Sequence, residues 1–230
     1  MALLMLLKIP LNATLYNYGL IYGLPGVLAS TAYLTSAVPS HFEQKYQLGW
    51  AVRALIGTLL IFVCTMVFLQ SLGWIALKSK PLSRGADRLW TFDRPFSFGA
   101  GSDVEKFLQW AQSNIKPTET FVALPQGVML NFLTKRTITG PHTTFMPAEL
   151  ATYSPGAMLS LLSAQPPDYV IFFNKETIAY GHLTSGEDYG AEIFRWVNEH
   201  YTAVWRTGAG FESHGFGITV LKKIPNKKIN

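Results

Sequence analysis

Three short polar runs each follow an apolar stretch, and between them they hold the groups a binding site needs. Gln126 and Gly127 follow "TFVAL", His142 and Thr143 follow "RTITG", and Asn174, Lys175 and Glu176 follow "DYVIFF". If the apolar stretches are strands of an open α/β sheet, their carboxyl ends are where ligands bind. The three runs then form one polar crescent of amide, imidazole, ammonium and carboxylate. The same residues would also serve as solvated loop residues and helix caps, because position in a fold does not by itself make a site. A second set lies in "KIPLNATLYNYG": Lys8, Asn12, Tyr16, Asn17 and Tyr18. A cation, amides and phenols could hold a lipid phosphate. They would equally make an interfacial anchor of snorkelling lysine and tyrosines.

Other chemistry is excluded by missing patterns. There is no GxxxxGK[ST] to cradle phosphates, no GxSxG elbow and no HExxH. "GAGS" (Gly99 to Ser102) has no strand leading into it, so it is no dinucleotide fingerprint. His142, His182, His200 and His214 lie too far apart in sequence to make a zinc pair. Cys64 is the one cysteine, so no intrachain disulfide forms. No metal site, no cofactor and no catalytic residue is therefore assigned to this chain. The net charge of +5 comes without a helix-turn-helix, finger or ribonucleoprotein pattern, so nucleic acid is not an expected partner.

The elements that would position these residues fall in two parts. Charged residues are 14% of the chain, against about 25% in an ordinary soluble domain, and the deficit sits in the first third. "ALIGTLLIFVCTMVFLQSLGWIAL" (Ala54 to Leu77) carries no charge and has no continuous polar face. About 20 apolar residues span a bilayer as a helix. Trp50 and Trp74 flank it as interfacial aromatics do. "YGLIYGLPGVLASTAYLTSAV" (Tyr18 to Val38) is also free of charge, with glycines and a proline that membrane helices tolerate. We therefore expect the end of a truncated helix and a membrane-edge loop over 1–17, a transmembrane hairpin over 18–78 with spans at 18–38 and 52–77, and membrane lipid as a partner. A linker over 79–95 comes next, then an α/β domain over 96–225 and a basic tail over 226–230. The cations Lys78, Lys80, Arg84, Arg88 and Arg94 would by the positive-inside rule keep the domain in the cytoplasm.

Within 96–225 the pattern alternates. "SDVE" (Ser102 to Glu105) reads as a capping box, with Val104, Phe107, Leu108, Ala111 and Ile115 at helical spacing behind it. Strands are expected at Thr120–Leu124, Arg136–Gly140 and Asp168–Phe173. Helices are expected after Gly127, from Ser154–Pro155 to Pro166, and over "YGAEIFRWVNEHY". "AVWRTG" and "GITVLKKI" close the chain as a hairpin. The order predicts a mostly parallel sheet flanked by helices, with an antiparallel hairpin at one edge.

Taken in order, "LYNYG", the membrane hairpin, "LPQGVMLNFLTKR", "PPDYVIFF" and "EDYGAEIFRWVNEHY" resemble the C-terminal region of bacterial multi-pass glycosyltransferases. These are the large membrane type related to protein O-mannosyltransferases and to the aminoarabinose transferases of lipid A. The resemblance covers nearly the whole chain but only the last part of such an enzyme. It implies transfer of a sugar from a polyprenyl-phosphate carrier to an acceptor outside the cytoplasm. It also implies an integral protein of the bacterial inner membrane whose α/β domain is extracytoplasmic, against the charge rule above. The catalytic carboxylate would lie in an earlier loop of the larger protein, and a divalent metal assists some members. Where the family pattern has an acidic residue in the strand-turn-helix motif, this chain has Gln126. The lipid-linked donor and the rest of a larger transmembrane protein are the partners so implied. The alternative is a non-enzymatic, membrane-anchored α/β binding domain.

Overall fold

A computed structural model describes residues 19–82, 88–93, 100–174, 177, 180–182, 186–209 and 215–225, with side chains from Leu24 onward. The chain divides into two compact units, Met1–Ile75 and Ala76–Asn230.

In the first unit, helix α1 (Gly19–Ala32) passes through a π-helical turn at Tyr33–Ala37 into α2 (Val38–Tyr46), and α3 (Gly49–Ala76) comes after it. The sequence predicts one span over Tyr18–Val38. Its described part is helical, but it is broken by the π turn and runs on to Tyr46. Pro39 near the start of α2 has no N–H to give and its ring crowds the preceding turn. Widening that turn is the usual relief. Among the described residues, α3 is the one helix long and apolar enough to cross a membrane. Its 28 residues reach about 42 Å at 1.5 Å per residue, more than the roughly 30 Å of a hydrocarbon core. A soluble core helix would bury such side chains. Here Leu55, Ile61 and Phe62 are 70%, 69% and 60% exposed. The start of α3 is held by Glu43, whose Oε2 accepts from the Gly49 N–H at 2.6 Å. A carboxylate there also faces the positive end of the helix dipole. A Cβ at residue 49 would come within 2.7 Å of the Pro39 carbonyl oxygen, so only glycine admits the approach.

The second unit opens with a small hairpin, β1 (Lys80–Leu82) and β2 (Leu89–Thr91), inside the stretch expected as a linker. Then come α4 (Gly101–Asn114), β3 (Phe121–Leu124), α5 (Val128–Thr134), α6 (Pro147–Tyr153), α7 (Pro155–Ala164), β4 (Tyr169–Phe173), α8 (Ala191–His200), β5 (Tyr201–Gly208) and β6 (Gly217–Lys223). The sheet order is β3-β4-β6-β5. The β3–β4 pair is parallel, whereas β4–β6 and β5–β6 are antiparallel. The sheet is therefore mixed, and the expectation of a mostly parallel one is corrected. The final hairpin inserts its second strand beside β4, which reverses the direction there.

Strand alternation sorts the core into two layers. Val122, Leu124, Val170, Phe172 and Leu221 point to Met158, Leu162, Ile193 and Val197 of α7 and α8. Phe121, Ala123, Ile171, Ile218 and Val220 point the other way, to Phe107 and Ala111 of α4 and Leu130 of α5. Period-two side chains on a sheet covered on both faces give this arrangement. A register shift between Ala203 and Trp205 is a bulge, and it re-aims the rest of β5. Beyond it Trp205 packs into the α4 layer, and the Thr207 hydroxyl donates to Asp103 Oδ1 at 2.8 Å.

Two further expectations change. Arg136–Gly140 is not a strand. Arg136 is clamped instead, its Nε and Nη2 donating to Ile115 O at 3.0 and 2.6 Å and its Nη1 to Thr134 O at 2.6 Å. One backbone bond, Phe121 N–H to Thr137 O at 3.2 Å, lays the segment along β3 and shields that edge without a ladder. The capping box is also absent. Gly101 begins the helix and Ser102 lies in its first turn. Asp93 supplies the cap, its Oδ1 accepting from the Ser102 N–H at 3.1 Å.

Candidate functional site

Because β3 and β4 run parallel, with Leu124 opposite Phe172, the segments after them leave the sheet at the same end. Gln126 bridges Thr144 in an isolated antiparallel contact, and the Phe145 N–H donates to Pro125 O at 2.6 Å. The fold thus brings Gln126, Gly127 and the His142–Thr143 loop to one rim, and Asn174 leaves β4 at that end too. Lys175 and Glu176 lie outside the described residues, as do Lys8, Asn12, Tyr16, Asn17 and Tyr18.

The rim's described residues are engaged in holding the fold. A Cβ on Gly127 would stand 2.6 Å from Phe173 Cε2 and 2.7 Å from Ala123 Cβ, so this glycine lets α5 start hard against the sheet. The Asn174 N–H donates to Gly217 O at 3.1 Å, tying the end of β4 to the final hairpin. His142 places its ring 5.2 Å from Tyr153 and 6.3 Å from Phe145, edge contacts typical of aromatic packing. Between the strand ends and helices α6 and α8 lies a crevice lined by Leu124, Pro125, Phe145, Leu150, Ile193 and Phe194, with a volume of about 10 Å³. That is room for about one water, and the lining offers it carbon. Gln126, His142, Thr143 and Asn174 include no carboxylate, so these four do not make the oxygen-rich shell that a divalent cation such as Mg²⁺ requires. Among the described residues no group of three His, Cys, Asp or Glu side chains could hold a metal ion.

No family model, curated protein or solved structure matches this chain.

Residue-by-residue reading of the strand ends missed a polar network at the opposite end of the sheet. Asp168 Oδ2 accepts from the Thr120 N–H at 2.8 Å and from its hydroxyl at 3.1 Å, and the Asp168 N–H returns a bond to Thr120 Oγ1 at 3.3 Å. The Tyr201 hydroxyl donates to Pro167 O at 2.8 Å. Burial, and after it the Asp168 carboxylate, push that phenol above its ordinary value of 10.0. Lys222 sits 5.2 Å over the Tyr169 ring, and its ammonium is held charged first by a hydrogen bond with Tyr169. A Thr one residue before one strand and an Asp one residue before its neighbour was the legible signal. Asp103, 2% exposed, is a buried carboxylate that pattern reading also passed over. Its bond from Thr207 ties α4 to β5.

Proposed function

We propose that this chain is the membrane-anchored C-terminal part of a glycosyltransferase that moves a sugar from a polyprenyl-phosphate donor to an extracytoplasmic acceptor. In this reading α3 crosses the inner membrane, and the α/β unit is a non-catalytic module on the outer side. What supports it is one juxtaposition. A helix of spanning length runs directly into an α/β unit in which three stretches of the resemblance fall on defined elements. "LPQGVMLNFLTKR" is the end of β3, a turn and α5, "PPDYVIFF" is β4, and "EDYGAEIFRWVNEHY" holds α8.

The described chemistry fits a module better than a reaction centre. Proton transfer in catalysis needs a base within hydrogen-bond reach of its substrate. The described rim ties its backbone into the fold and packs carbon around its crevice. Lys8, Asn12, Tyr16, Asn17 and Tyr18 are the residues this reading places near the donor phosphate. An immunoblot of native membranes with an antibody against the α/β unit tests it. A band well above 25.6 kDa is expected, since the catalytic loop belongs to the larger protein. A band at 25.6 kDa would remove the active site from the proposal and leave the anchored binding domain in its place.

A further inference from the structure

Trp90 projects from β2 at 53% exposure, on a hairpin that begins just after the apolar helix ends. The last residue of α3 is Ala76 and the first of β1 is Lys80. We propose that the β1–β2 hairpin docks on the anionic headgroup layer of the membrane that α3 crosses, with Trp90 as the apolar anchor and Lys78 and Arg88 meeting lipid phosphates. This rests on the reading of α3 as a membrane span.

Reach comes first. An extended chain covers at most about 3.6 Å per residue, so the step from Ala76 to Lys80 is at most roughly 14 Å by that rise. Headgroups add about 5–8 Å on each side of the hydrocarbon core. The hairpin therefore starts within reach of that layer. Chemistry comes second. Tryptophan prefers the interface, where its ring is half-solvated. Lys78 and Arg88 are both exposed, and Lys78 lies 5.5 Å over the Phe92 ring beside the hairpin. Each juxtamembrane cation strengthens attraction to an anionic surface by about fivefold.

The third element is a rigid mount. Lys80 Nζ pairs with Glu105 Oε2 of α4 at 2.6 Å. The Gly101 N–H donates to Phe92 O at 3.0 Å, and Asp93 caps Ser102. Leu82, 7% exposed, faces inward, while Pro81 and Trp90 pair across the strands on the outer face. Pinned in this way, the hairpin presents Trp90 without further ordering on docking, which keeps the entropic cost low.

The test uses the full chain in nanodiscs, with and without phosphatidylglycerol in a phosphatidylcholine bilayer. A nitroxide on native Cys64 reports the depth of α3. In a Cys64→Ser background, a nitroxide at Pro81→Cys, exposed beside Trp90 on the same face of the hairpin, reports the hairpin, and one at Asn198→Cys, exposed on α8, reports bulk water. Collisions with a water-soluble nickel complex should be suppressed at positions 64 and 81 and free at 198. Adding phosphatidylglycerol should lower nickel access at position 81 further. Lys78→Gln with Arg88→Gln should reverse that gain, by about fivefold in partitioning per cation. Nickel access at position 81 equal to that at 198, with Cys64 still shielded, overturns the docking and leaves the crossing intact. Free access at Cys64 overturns both. Shielding at position 81 that persists when the bilayer is exchanged for an amphipathic polymer means that protein covers the hairpin, and overturns lipid docking.

Discussion

At the carboxyl end of β3 and β4 the chain packs carbon around a crevice of about 10 Å³. At the amino end of the same two strands it pairs Asp168 with Thr120 and seats Tyr201 on Pro167. In its described residues the customary ligand-binding end is thus built as a joint, and the end usually left to stability holds the polar network. The difference arises from local demands. A parallel pair needs a crossover, and α5 must start close to the sheet, so Gly127 and Phe173 interlock. At the other end the N–H groups just before β3 and β4 need partners: the Asp168 carboxylate accepts from the Thr120 N–H, and the Thr120 hydroxyl oxygen accepts from the Asp168 N–H.

Four substitutions would break or sharpen this comparison, each read by urea unfolding of the detergent-solubilised chain followed by tryptophan fluorescence. Gly127→Val should cost most, about 3 kcal/mol from overpacking, because its Cβ meets Phe173 and Ala123. A loss below experimental error would mean that the rim is loose enough to admit a ligand. Asp168→Ala should cost about 2 kcal/mol by stranding the Thr120 N–H. Tyr201→Phe should cost about 1 kcal/mol near neutral pH through the lost bond to Pro167 O, and it should also change the alkaline limb. The folded phenol keeps its proton above 10.0 while the unfolded one loses it there. The folded chain then binds more protons, so the tyrosine's contribution is whole below that pH and falls as pH rises above it. The phenylalanine variant should show a shallower decline above pH 10.0, and a parallel decline would contradict the assignment. Gln126→Ala, exposed on the rim, should change stability by less than about 0.5 kcal/mol. A larger effect would show that the turn depends on its amide.

Much of the α/β unit was legible because its signals are local. "DYVIFF" is a continuous apolar run closed off by Pro166-Pro167, and it is β4. Ser154 before Pro155 is a cap before a first-turn proline, and its hydroxyl accepts from the Ala157 N–H at 3.3 Å. The uncharged run after Arg53 is the core of α3. What escaped depended on distant partners. Arg136–Gly140 has strand-like residues, but the Arg136 clamp on Ile115 decides its path. Asp93 displaces Ser102 as cap from nine residues away. The direction of β6 comes from its insertion beside β4, which no window of sequence contains. For α6, Pro147 and Glu149 in its first turn were a readable start. At the candidate site, the fold brings Gln126, Gly127 and the His142 loop to one rim, although the strand expected at Arg136–Gly140 to deliver His142 does not form. Nothing in the sequence showed that their groups would be occupied by packing, because that requires Phe173 and Tyr153 as neighbours.

The central claim is that the α/β unit serves, without catalysing, a membrane transferase that uses a lipid-linked sugar. It is tested most directly by isolating the native protein from membranes with an antibody against this unit, and assaying sugar release from radiolabelled polyprenyl-phosphate donors. The account predicts donor turnover by the isolated native protein and none by the 230-residue chain expressed alone. Absence of turnover by the native protein across the polyprenyl-phosphate sugars, or turnover by this chain alone, would contradict it.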